Sequence, residues 1–244
     1  AALDAWHQPA LAIPHHSAND RMGVDWEQGW NPAYEKAVEI YSVWGSSEKM
    51  GAPYPIDYIA TGGYFGTSEA RGHHLQDGLE RGYRFGFTAG SESHDGRPSR
   101  PIVHGRDVIA ETDYLQPPGV TGVWADSLTR DGIFDALRAR RCYGTTGARI
   151  IVRFSLGDTP MGGEIRADDL PGRLEFAAKV IGTAPIASCE LIKNNQTIDS
   201  ASSDDAELAA ALRDRNAARS GDFYYLRITQ ADGEMAWASP IFVL

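Results

Sequence analysis

The sequence predicts an α/β unit followed by an all-β unit. Two observations predict this order. Before Arg149, short apolar runs alternate with stretches of helical spacing; after it, strand-like alternation recurs with almost no helical pattern. The length of 244 residues suffices for one large core or two modest ones. We therefore divide the chain into residues 1–148 and 149–244.

Four apolar runs of the first part read as buried strands: Ala10 to Ile13, Ala37 to Tyr41, Phe85 to Ala89 and Val120 to Trp124. Each is short and bounded by turn formers, which favours strand over helix. Gly72 to Tyr83 carries Leu75 and Leu79 at helical spacing. A clearer helix follows the fourth run. Thr129 is placed to cap it, Asp131 lies in its first turn, and Arg138, Arg140 and Arg141 crowd its end, so charges complement the dipole at both termini.

In the second part, Ile150, Val152, Phe154 and Leu156 alternate with polar residues, as do Leu174, Phe176, Ala178 and Val180. Further strands are expected at 187–193, 223–230 and 235–243, with Asp232-Gly233 as a tight turn between the last two. Ser200 to Arg219 is polar and Ala-rich and reads as a long connection with a helical turn. The sum is a small immunoglobulin-like β-sandwich. Tyr224, Tyr225 and Trp237 read as its core; sugar binding by these rings is the alternative.

Composition narrows the function. A formal net charge of -10 disfavours nucleic acid and anionic membranes as partners. No run of about 18 apolar residues occurs, so no membrane span is expected. The start, Ala1-Ala2-Leu3-Asp4, does not read as a signal peptide, and the compartment stays open between cytoplasm and export. Cys142 and Cys189 fit no CxxC pattern and read as two separate thiols. Neither a Gly-rich phosphate loop nor a GxSxG elbow is present.

Polar residues fall at the ends of the expected strands. His15 and His16 follow the first run, Glu39 lies inside the second, and Glu92 and His94 follow the third. Parallel strands of a β/α barrel deliver their C-terminal ends to one rim, where catalytic residues collect. Imidazoles and carboxylates gathered there suit divalent metals such as zinc or manganese. Each residue has a plainer reading too: the His pair as loop, Glu39 as a structural ion pair or an edge position, and Glu92 and His94 as part of a turn-rich loop. His73 and His74 read as surface or core residues.

Ile13-Pro14-His15-His16, then Val38 to Ser42 with Gly45-Ser46-Ser47-Glu48, then Gly90 to Gly96, resemble in order the later metal motifs of the PHP (polymerase and histidinol phosphatase) superfamily. A bacterial branch of unassigned function is closer still, on Leu128-Thr129-Arg130, Ala139 to Gly147, Tyr224 to Ile228 and Ala236 to Ile241. The resemblance implies a β/α barrel with two or three divalent metals (zinc, manganese or iron) that hydrolyses phosphate esters. Carried over, His15 or His16, Glu39 and His94 are metal ligands, and Glu92 is a ligand or general base. Glu92 stands where the family has aspartate, and the extra methylene moves the carboxylate by about an ångström, beyond the tolerance of such sites.

The family also opens with His-x-His, which this sequence lacks. The expectation is thus a partial (β/α) PHP-type barrel, its missing N-terminal half supplied by the same gene or another chain, followed by the sandwich. The expected substrate is a small phosphorylated molecule. The alternative is a non-catalytic binding or structural module that retains a barrel remnant.

Overall fold

A computed structural model describes residue 3 and residues 9–56, 69–91 and 117–244. Chain order begins with β1 (Ala37–Ser42), β2 (Gly45–Ser46), helix α1 (Leu75–Glu80) and β3 (Gly86–Ala89). Strands β1 and β3 are parallel neighbours, and β2 folds back antiparallel on β1, giving a three-stranded sheet. The apolar runs at 37–41 and 85–89 thus form strands, with α1 between them. Helix α1 is shorter than its pattern suggested, because Gly82 takes a φ of 82° just past its end.

Next come β4 (Val120–Val123), α2 (Arg130–Arg138) and β5 (Cys142–Thr145). The Thr129 side chain caps α2 by accepting from the Gly132 N–H. The remaining strands are β6 (Ile151–Leu156), β7 (Thr159–Pro160), β8 (Glu164–Ile165), β9 (Leu174–Ile181), β10 (Ile186–Lys193), β11 (Gln196–Ser203), β12 (Glu207–Asp214), β13 (Phe223–Thr229), β14 (Met235–Ala238) and β15 (Ile241–Val243). An eight-stranded sheet runs β11-β10-β13-β14-β5-β4, with β15 and β8 attached beside β13; a four-stranded sheet runs β12-β9-β6-β7.

This architecture overturns the partial (β/α) PHP-type barrel. The described residues are rich in sheet, with two α-helices and no barrel closure. Only β1 and β3 behave as barrel strands would. Strand β4, expected to be the next, pairs antiparallel with β5 and joins the large sheet instead. The run at Ala10 to Ile13 is no strand. Its neighbours Pro9 and Pro14 lack N–H groups, and it reaches the sheet region through isolated bonds, Ala12 N–H to Tyr34 O and Glu39 N–H to Pro14 O.

A second correction concerns Ser200 to Arg219, which is crossed by β11 and β12 rather than by a helical turn. On β12 the inward positions are Leu208, Ala210, Leu212 and Asp214, and Glu207, Ala209, Ala211 and Arg213 face out. Alanine occupies both faces, which hides the period of two from a hydrophobicity reading.

The large sheet is covered on both sides. One face packs Tyr224, Leu226 and Ile228 against Val152, Phe176 and Val180 of the four-stranded sheet. The other packs Tyr225, Met235 and Trp237 against Trp26, Ile40 and Phe87. Successive residues of β13 point to opposite faces, and both are dry, so Tyr224 and Tyr225 are each fully buried. Trp237 is buried as well, which removes the sugar-binding alternative. The two cysteines are free and buried. No helix among the described residues is long and apolar enough to cross a membrane.

Candidate metal centre

His15, His16 and Glu39 come together. One ligand atom from each lies within 4.8 Å of the other two. Glu39 is carried by β1, and its N–H is held by Pro14 O, which places the residue just before the His pair beside the strand. His15 Nδ1 stands 2.7 Å from Glu39 Oε1, and His16 Nδ1 stands 3.9 Å from the same oxygen. The two imidazoles lie against each other with centroids 3.5 Å apart. His15 is open to solvent, while His16 is buried and meets the Trp44 ring edge-on.

Local backbone chemistry explains this placement. His16 has a φ of 52°, a left-handed conformation that is uncommon outside glycine and that histidine adopts more readily than most residues. Its carbonyl accepts the Asn19 N–H, and Asn19 Oδ1 accepts the N–H groups of Arg21 and Met22, so the chain reverses at once after the His pair. Pairing of β1 with β3 brings Gly90 alongside, its N–H bonded to Tyr41 O. A Cβ at Gly90 would lie 2.5 Å from Glu39 Oε2, so glycine leaves the carboxylate its room.

The donor set fits a divalent ion. Two imidazoles and a carboxylate are ligands that zinc, manganese and iron accept, and His15, His16 and Glu39 would together hold such an ion. Glu92 and His94 lie outside the described residues; in sequence they follow Gly90 by two and four positions. His73 and His74 do not join the cluster. His74 is buried at the start of α1, where its N–H bonds Asp77 Oδ2 and its Nε2 lies 3.3 Å from Glu69 Oε1.

Sequence reasoning gave no role to Ser47 and Glu48. Ser47 donates its N–H to Ile40 O, and its Oγ accepts the Ala18 N–H. Glu48 is fully buried, and its carboxylate accepts from Tyr225 Oη, Arg227 Nη1 and Trp237 Nε1. A signal was there: Tyr225 and Arg227 are two apart on one strand, hence on one face, and each offers a donor.

Residues 38–184 match the family model described as "Protein of unknown function (DUF3604)". The chain belongs to this DUF3604 family. A protein of Chlamydia pneumoniae described as uncharacterized is 34% identical over 250 residues, covering 96% of this chain and 38% of its own length. Uncharacterized proteins of Chlamydia muridarum and of Chlamydia trachomatis serovar D are each 34% identical over 251 residues. The chain thus spans under two fifths of the length of the curated relatives it matches. No solved structure gives a significant match.

Proposed function

We propose that this DUF3604 chain carries part of a divalent-metal site and serves a metal-dependent hydrolase of phosphate esters. The observation that carries the reading is the convergence of His15, His16 and Glu39 within 4.8 Å from two separate segments. When bound, such a metal supplies a hydroxide near neutral pH and polarises a phosphoryl oxygen.

The residues divide the work of holding it. His16 is fixed by burial and by its turn. Glu39 is fixed by the strand, and Gly90 keeps space beside its second oxygen. His15, the exposed member, closes the set from the solvent side. Glu92 and His94 are the further ligands the sequence offers, and Glu92 is a candidate general base. Phosphate esters are the substrate class supported by the resemblance to PHP proteins in the order of the three motifs.

Elemental analysis of the full-length protein, purified without chelator, tests this. The expected result is at least one equivalent of zinc, manganese or iron, lost in Glu39→Gln, together with turnover of an aryl phosphate that chelation abolishes. A protein that takes up none of these metals, even after incubation with them, ends the proposal.

A further inference from the structure

The buried Glu48 carboxylate accepts three side-chain hydrogen bonds, and it sits one residue from Ser47. Ser47 bonds both segments that bear the candidate ligands. Its N–H reaches Ile40 O at 2.7 Å, one residue past Glu39, and its Oγ accepts the Ala18 N–H at 3.3 Å, two residues past His16. The carbonyls of Ser47 and Glu48 accept the N–H groups of Leu75 and Gln76 at the start of α1. The whole segment is buried.

Glu48 ties this segment to the opposite layer. The β13–β14 register sets Arg227 beside Trp237, and Tyr225 lies two residues before Arg227 on the same face. Their three donors converge on one carboxylate at 2.7–2.9 Å. Glu190 Oε2 takes the Arg227 Nε and steers the guanidinium. Gln76 donates to Tyr225 Oη, which frees the phenol hydrogen for Glu48. Such a network has two sides: fully satisfied it fixes one geometry, and with one member removed it leaves buried groups unpaired.

We infer that Ser47 and Glu48 are positioning residues, through which the large sheet sets the spacing of the His15–His16 turn against Glu39. This rests on the metal reading above. Its content is that metal affinity depends on a contact made between layers, well away from the ligands themselves. Outer groups that orient metal ligands typically alter affinity 10- to 100-fold when mutated.

The test uses cobalt(II) titrated into the full-length protein and into Ser47→Ala and Glu48→Gln, with circular dichroism to establish that each is folded. Ser47→Ala removes one acceptor from a small side chain and serves if Glu48→Gln does not fold. The expected result is roughly tenfold weaker binding by the folded variants, with a shifted visible absorption band, since the ligand spacing changes. A purely structural role would lower the melting temperature and leave the band and affinity of the folded protein unchanged, which overturns the inference alone. Absence of cobalt binding by the wild-type protein overturns the metal reading, and this inference with it.

Discussion

Gly90 lies against Glu39 so closely that the next larger side chain would meet its carboxylate. The obstructed atom, Oε2, is the far end of a flexible side chain. Gly90→Ala is therefore expected to displace the carboxylate at little cost in stability, because the obstructed atom can swing aside. Metal affinity should fall while the denaturation midpoint barely moves. Equal losses in both would mean that Gly90 serves packing alone.

The left-handed backbone at His16 can be separated from its imidazole. Asparagine tolerates this conformation, whereas a β-branched residue does not. His16→Asn is expected to fold like the wild type and to lose metal affinity. His16→Val should lose affinity and about 1–2 kcal/mol of stability as well. Urea denaturation beside metal titration distinguishes the two, and a stable His16→Val would contradict the strain argument.

A second buried ion cluster makes a pH prediction. Lys193 Nζ sits 2.8 Å from Asp214 Oδ2 and 2.9 Å from Asp222 Oδ2, and Tyr224 Oη donates to Asp214. Burial, the largest single influence, raises both carboxyls, but the hydrogen bonds from Lys193 together with those from Asn216 and Tyr224 on Asp214, and from Asn194 and Arg219 on Asp222, outweigh it and hold both below their ordinary range. A depressed carboxyl contributes stability above the unfolded value of about 4, lost as pH falls through the folded value. In Lys193→Met the two carboxylates lose their shared cation and keep only neutral donors, at a cost of about 3 kcal/mol near pH 7. Their folded values then rise, so the variant should gain stability from pH 7 down to pH 5, a range over which the cluster's contribution in the wild type stays level, to be lost only below about pH 4. Parallel profiles for the two proteins would refute this.

The thiols set the alkaline limit. Burial pushes Cys142 up to about 11, against a hydrogen bond to Ser239, and Cys189 up to about 12. Raised thiols leave stability intact below the unfolded value near 9, and it is lost as pH climbs towards the folded values. We expect neither thiol to react with a disulfide reagent at pH 8 until the protein unfolds. The Cys142→Ala/Cys189→Ala variant should show a shallower decline of the denaturation midpoint between pH 9 and pH 11. Rapid labelling of the native protein would contradict the burial.

How much of this was legible varied with the physics of each segment. Strands whose apolar runs stand between turn formers, such as β1 and β3, could be read, and so could the Thr129 cap, because local chemistry determines them. His15, His16 and Glu39 were expected to meet on a barrel rim; they meet without the barrel, because Pro14 O takes the Glu39 N–H and lays the histidine turn beside β1. That barrel failed at β4, whose partner is chosen by long-range packing: Tyr143 of β5 fills the space over Gly122. Nothing in Val120 to Val123 specifies an antiparallel neighbour. The strand at 207–214 was invisible because alanine serves equally on a dry or a wet face. Glu48 was missed because its three partners lie 177, 179 and 189 residues away.

The doubly roofed sheet has a consequence for anyone who would move its parts. A graft of residues 149–244 onto another scaffold would leave Tyr225, Trp237 and Phe242 as an oily wall looking for a companion, and would strip Arg227 of Glu48, leaving Glu190 as its carboxylate partner. Such a fragment invites self-association, and its host would have to provide a new lid. In this chain the C-terminal strands and the earlier strand, helix and Trp26 that cover them make one continuous core, to be moved together or not at all.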